Sequence, residues 1–374
     1  MRQDQIAPLT SLRFIAATWV ILYTWIHELN AQLSFGLFDK GYLGVDLFFI
    51  LSGFILAYVY LEDFGERRFD YGEFVNHRLA RIYPLHIATL AFTLLLIGAA
   101  AVKGVKLDPN AGNWASLPAH IFLVQAWGLA PAASFNHPSW SISAEWFAYL
   151  TFPATAAAAW ALRNRPILAV AGAIAIMAVL YIGFVAITGV SLTHATFQWG
   201  ALRIVPTFLF GSALYLAWRN GAVASPKVAS LGAAIASLTV VLAASFARSL
   251  SFMPDLLIVV ALGLLVLSLA GMGRDSQGNP GHGILSSRPM VYLGEISFAT
   301  YMIYVPWKWV FLKAAHAIVG EGPLPFFWWL AGLVALVPLS MAAHHLIEVP
   351  ARRFMRHLGH KIRVKFGIAA SAGF

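Results

Sequence analysis

Apolar residues run in long uninterrupted blocks along this chain, and polar residues cluster between the blocks instead of alternating within them. A helix needs about 20 such residues to cross a hydrocarbon core. Blocks of that kind fall at 9–31, 42–61, 83–102, 140–161, 166–188, 199–218, 227–247, 254–272, 290–316 and 324–347. They predict an all-α polytopic bundle of about ten transmembrane helices. Residues 117–131 (LPAHIFLVQAWGLAP) are apolar but short and bounded by proline, which predicts a re-entrant or interfacial piece and not an eleventh span. The domain reading is one transmembrane unit over 1–350 followed by a basic tail, 351–374.

Composition supports this. Of the 374 residues, 60% are hydrophobic and 11% charged, with mean hydropathy +0.73; soluble domains carry about 25% charged residues. The absence of cysteine excludes thiolate and disulfide chemistry. The N-terminus has no Lys/Arg-rich region and no small-residue cleavage site, so the first block reads as a retained span. With both termini placed in the cytoplasm, inner segments hold seventeen Lys/Arg, among them Arg2, Arg274 and six in the tail from Arg352 to Lys365. The outer segments hold five: Lys40, Lys103, Lys106, Arg248 and Lys313. That bias orients the chain as a multi-pass protein of a bacterial inner membrane. The net charge of +9 lies in short loops and tail, which points to membrane lipids as partners and not to nucleic acid. The tail reads either as a surface helix on the anionic leaflet or as a solvated topology signal.

Polar groups inside apolar blocks are costly and mark candidate chemistry. Asp46 lies within GYLGVDLFFILSGFIL. Arg13 and Thr24 are eleven residues apart on one helix face, with His27 one turn further and Glu28 beside it. Arg13 suits an anion or simple snorkelling; His27 suits a base or a helix–helix hydrogen bond. Arg78 and Arg81, at i and i+3 in FVNHRLARIYPLH, suit a phosphate clamp or headgroup contact. Ser141 and Glu145, at i and i+4 in HPSWSISAEWF, suit either an acceptor site or a helix cap. Ser297, Thr300, Tyr301 and Tyr304 form a polar stripe, with Glu295 at its inner end. His344 and Glu348 precede Pro350 and read as a structural pair for an inner-side arginine. No HExxH, P-loop or dinucleotide glycine pattern occurs, and the scattered histidines predict no metal site.

Seven segments in order resemble the integral-membrane acyltransferase 3 family, whose members O-acylate envelope and exported glycans. They are Leu9–Ala17, Gly41–Ile55, Phe74–His86, Pro138–Pro153, Arg203–Gly211, Leu293–Tyr304 and Leu346–Arg353. The resemblance implies a ten-span core, a cytoplasmic acyl-CoA donor, acetyl-CoA in the simplest case, and a glycan or lipid-linked sugar acceptor reached from the outer side. It implies an enzyme with acyl-CoA as co-substrate and no bound cofactor. The hydrolase-like domain fused to some members is expected to be absent. Two positions depart from the family pattern. The family has its catalytic histidine where this chain has Thr24, and favours histidine where it has Tyr304. Threonine is no general base at neutral pH.

The resulting expectation is donor binding by Arg13, Arg78 and Arg81, with His27 as base and Thr24 as a relay. Asp46 orients the base or pairs with an arginine, and Ser141, Glu145 and Tyr304 meet the acceptor. The alternative is a catalytically silent relative that binds acyl-CoA or glycan, or a glycan or lipid carrier.

Overall fold

The computed structural model describes residues 6–29, 36–105, 111–130, 132–246, 252–275 and 283–365, which are mostly helical with no strand among them. Arg2, Lys106, Arg248 and residues 366–374, used in the charge and tail readings, lie outside the described residues. The helices are α1 Ala7–Leu29, α2 Gly36–Asp39, α3 Gly44–Gly65, α4 Tyr71–Val102, α5 Leu117–Ile121, α6 Ser139–Leu150, α7 Phe152–Ala161 and α8 Pro166–Thr188. They continue with α9 Gly200–Arg219, α10 Pro226–Phe246, α11 Phe252–Asp275, α12 Arg288–Val319, α13 Phe326–Val334, α14 Leu336–Ala343 and α15 Val349–Lys365.

Eight helical segments among the described residues are long and apolar enough to cross a membrane. The two remaining expected spans are helical as well. The 140–161 block breaks at Thr151 into α6 and α7, and Pro153 occupies the first turn of α7, where its missing N–H leaves no bond unmade. α12 is 32 residues long, but Ser297, Thr300, Tyr301, Tyr304 and Lys308 dilute its apolar run. Within the 117–131 stretch the chain forms the short α5 and a kinked turn at Gln125–Leu129, where Gly128 takes a left-handed conformation.

Lipid tails are as apolar as leucine, so helix association here rests on close packing of small residues. The α3–α9 crossing shows it: a Cβ on Gly53 would overlap the Phe208 carbonyl, and one on Gly211 would overlap the Ile50 carbonyl. Similar contacts fix the levels of the helices around α1. Gly44 of α3 lies against Ala16 and Val20, and Gly294 of α12 lies against Thr10. The end of the bundle where α1 begins is called proximal below, and the opposite end distal.

Charges at the distal end are buried and paired. Asp46, fully buried, accepts from Arg203 Nη2 at 2.7 Å and Nε at 3.3 Å. Arg203 also donates to the carbonyls of Tyr42 and Ala195 and lies over the Trp140 ring. Nearby, Asp255 takes Lys40 Nζ at 2.7 Å, the Tyr42 hydroxyl at 2.9 Å and Thr193 Oγ1 at 2.5 Å. Removing one partner of such a pair leaves a bare charge in low dielectric and costs about 3–5 kcal/mol.

At the proximal end α15 docks on α4. Asp70 caps α4 by accepting from the Glu73 N–H, and Arg363 of α15 reaches the same carboxylate through both terminal nitrogens. The Arg363 hydrogen bonds hold the Asp70 carboxyl below its ordinary range.

Gly53→Val is expected to force α3 from α9 and lower stability by about 1–3 kcal/mol, whereas Gly172→Val, where nothing lies within 4 Å, is expected to be tolerated; thermal unfolding in detergent compares them. The lowered Asp70 carboxyl means that its share of α15 docking is intact above the unfolded-state value of about 3.9 and is lost as pH falls through the lower folded value. Docking is therefore expected to survive at pH 5. Asp70→Asn, which keeps a helix cap, is expected to broaden the α4–α15 distance at neutral pH. Paired spin labels read this cleanly because the chain has no native cysteine.

Candidate active site

A cavity of about 430 Å³ opens in the proximal half, between α1, α3, α4, α6, α12 and α15. Five arginines line it. Arg13 projects from the second turn of α1, Arg78 and Arg81 from successive turns of α4, and Arg352 and Arg356 from the start of α15. The i, i+3 and i, i+4 spacings put each pair on one helix face, and docking of α15 on α4 turns both pairs to the same space.

Among the described residues Arg13, Arg78, Arg81 and Arg356 make no ion pair, and the Nε atoms of Arg13 and Arg78 are buried with no hydrogen-bond partner. Arg78 donates to the Tyr60 hydroxyl at 3.2 Å and lies 5.5 Å from that ring. Facing them, Glu145 Oε1 accepts from Ser52 and from Tyr149, each at 2.5 Å. Ser141 and Tyr301 hydrogen-bond at 3.0 Å and line the wall, as does Glu295. The wall thus carries five cations against the carboxylates of Glu145 and Glu295. An excess of unpaired guanidinium in a low-dielectric enclosure favours an anion with several oxygens.

A histidine also stands in this wall. The backbone from His344 to Glu348 makes a π-helical turn between α14 and α15, and His344 lines the cavity. Its Nδ1 meets Glu348 Oε2 at 2.9 Å, and the other Glu348 oxygen accepts from Arg352 at 3.4 Å. Glu348 is 1% exposed and His344 7%.

Of the residues singled out in the sequence, Arg13, Arg78, Arg81, Ser141 and Glu145 come together here. Asp46, Thr24, His27 and Tyr304 do not line this cavity. Asp46 belongs to the distal pair with Arg203. Thr24 Oγ1 donates to the Ile21 carbonyl, and the Thr24 and Tyr304 side chains meet. The two positions that depart from the family pattern therefore touch across α1 and α12. Lys308 Nζ donates to the Thr24 carbonyl at 2.8 Å and pairs with Glu28 at 2.8 Å. His27 is exposed near the end of α1. Sequence reasoning missed Arg352, Arg356, Ser52 and Tyr149. The arginine pair was legible only as i, i+4 basic residues straight after Glu348, inside a tail whose other basic residues gave the same topology signal. No group of three His, Asp or Glu side chains suited to a metal occurs among the described residues.

The model of an acyltransferase domain matches residues 7–345. Acyltransferase MdmB of Streptomyces mycarofaciens is 30% identical over 345 residues, covering 84% of this chain and 82% of that protein. Protein 2 in the picA locus of Rhizobium radiobacter is 31% identical over 146 residues, 36% of this chain and 73% of that one. O-acetyltransferase OatA of Staphylococcus aureus is 21% identical over 368 residues, 92% of this chain but 57% of its own length. No solved structure matches. A helical bundle with eight segments long and apolar enough to cross a membrane among its described residues, matched over residues 7–345, belongs to the acyltransferase 3 family and is a membrane acyltransferase.

Proposed function

We propose that this chain moves an acyl group, acetyl in the simplest case, from acyl-CoA to a hydroxyl of an exopolysaccharide or envelope glycan. The proximal end faces the cytoplasm of a bacterial inner membrane, so that the donor enters from the compartment that makes it. The observation that carries the donor assignment is the set of five arginines around one cavity, two of them with buried, unpartnered Nε atoms. Coenzyme A bears a diphosphate and a ribose phosphate, and guanidinium forks match phosphate oxygens in pairs.

In this reading Arg78, Arg81, Arg352 and Arg356 hold the phosphates near the mouth, where Arg356 is exposed. The pantetheine arm extends past Arg13 toward Ser52, Ser141 and Glu145. The Glu145 carboxylate, fixed by Ser52 and Tyr149, is placed to accept a hydrogen bond from an acceptor hydroxyl or from the pantetheine amides. An arginine not consumed by phosphate stabilises the oxyanion formed at the thioester carbonyl, where a preorganised cation acts with little reorganisation.

The test is transfer of labelled acetyl from acetyl-CoA to the glycan fraction of membranes that carry the chain. Label is expected in that fraction. Arg78→Ala and Arg81→Ala are each expected to raise the KM for acetyl-CoA about 10-fold at unchanged protein level, the loss of one charge-assisted contact. Transfer with an unchanged KM in both variants would place the donor elsewhere.

A further inference from the structure

The chain lacks a histidine at position 24, yet a histidine stands in the wall of the arginine cavity. Among the residues that line this cavity, His344 is the one imidazole. Its setting differs from that of a packed core histidine in three respects.

The first is depth. Gly294 lies against Thr10, and the Tyr292 hydroxyl meets His345 Nε2 at 2.9 Å. The π turn therefore stands level with the segment of α1 that bears Arg13, well short of Thr24, which is eleven residues (about 16 Å) further along the helix. The second is orientation. Glu348 binds Nδ1, which leaves Nε2 for the cavity, and Arg352 steadies the carboxylate from behind. A buried carboxylate on one ring nitrogen fixes the tautomer and presents the other nitrogen as an acceptor. The third is the backbone. The His344–Glu348 segment adopts the rare π geometry, which recurs at functional sites because it re-aims side chains that an α-helix would point elsewhere.

We propose that His344 is the general base of this acyltransferase and that Glu348 is its positioning residue. The proposal rests on the donor reading above. Neutral His344 takes the proton of the acceptor hydroxyl at Nε2 as the hydroxyl oxygen bonds to the thioester carbonyl carbon. The C–S bond then breaks, coenzyme A leaves as thiolate, and the imidazolium returns the proton to sulfur, so the residue ends as it began. His344 contacts Glu348 and the neighbouring His345 ring, and shares the cavity wall with Arg13 of α1, Arg78 and Arg81 of α4, Arg352 and Arg356 of α15, Glu145 of α6 and Glu295 of α12. The cations are placed to stabilise the developing oxyanion, while the Glu348 hydrogen bond holds the ring in its orientation.

The experiment uses the full chain in lipid nanodiscs, with coenzyme A as the binding probe. Transfer of labelled acetyl from acetyl-CoA to the membrane glycan fraction is followed from pH 5.5 to 8.5. His344→Gln is expected to bind coenzyme A within about 2-fold of the original chain, which shows that it is folded, and to lose transfer by about 100-fold or more. Glu348→Gln, lacking the carboxylate that orients the ring, is expected to lower kcat with the KM for acetyl-CoA and the binding of coenzyme A retained. His344→Gln that transfers acetyl normally would overturn the assignment, as would loss of transfer in His27→Ala alone. An original chain that binds coenzyme A without any transfer would overturn it too. An original chain that fails to bind coenzyme A would instead remove the donor reading on which it stands.

Discussion

A charge inside a membrane bundle must find a counter-charge, because the surroundings supply neither water nor mobile ions. The two ends of this bundle meet that constraint differently. Toward the distal end the charges described above are matched: buried Asp46 by Arg203, buried Asp255 by Lys40, and partly exposed Glu28 by Lys308. At the proximal end five arginines share one cavity; Arg352 meets Glu348, while Arg13, Arg78, Arg81 and Arg356 make no ion pair among the described residues and two guanidinium Nε atoms have no partner. Distal pairs tie helices together, whereas the proximal excess of guanidinium leaves charge that an incoming anion would match. This asymmetry separates scaffold from site, and the remaining assignments depend on it.

Much of the architecture was legible because its signal is strong and local. The ten apolar blocks all became helices, including the one that splits at Thr151 and the one diluted by the polar stripe on α12. Arg13, Arg78, Arg81, Ser141 and Glu145 were legible as polar groups with no reason to sit in apolar blocks, and they converge. Side-chain partnerships across the bundle were not legible. Nothing in the run around Asp46 names Arg203, 157 positions away, as its partner. The basic residues of α15 look alike in sequence, and only docking on α4 separates Arg352 and Arg356, at the cavity, from Arg363, at Asp70. His344 and Glu348 were visible as an i, i+4 pair, but helical spacing does not reveal a π turn or which way the ring faces.

The contact between Thr24 and Tyr304 gives the two departures from the family pattern a common physical basis. Histidine is favoured by the family at both positions, and here two hydroxyls meet instead, with Lys308 bonded to the Thr24 carbonyl and paired with Glu28. A change at one of two touching positions alters what the other can hydrogen-bond. Neither hydroxyl is a general base at neutral pH, and the proposed mechanism draws proton transfer from elsewhere. The proximal cavity already holds an oriented imidazole at the level of Arg13, next to the cations that would stabilise the oxyanion.

The central claim is that the arginine cavity holds the donor, and a structure determined with coenzyme A bound tests it most directly. The account predicts the diphosphate and ribose phosphate within hydrogen-bond distance of Arg78, Arg81 and the two α15 arginines, with the thiol beside Arg13, between His344 and Ser141. Phosphates found at the distal end, or outside the space between α1, α4 and α15, would contradict it.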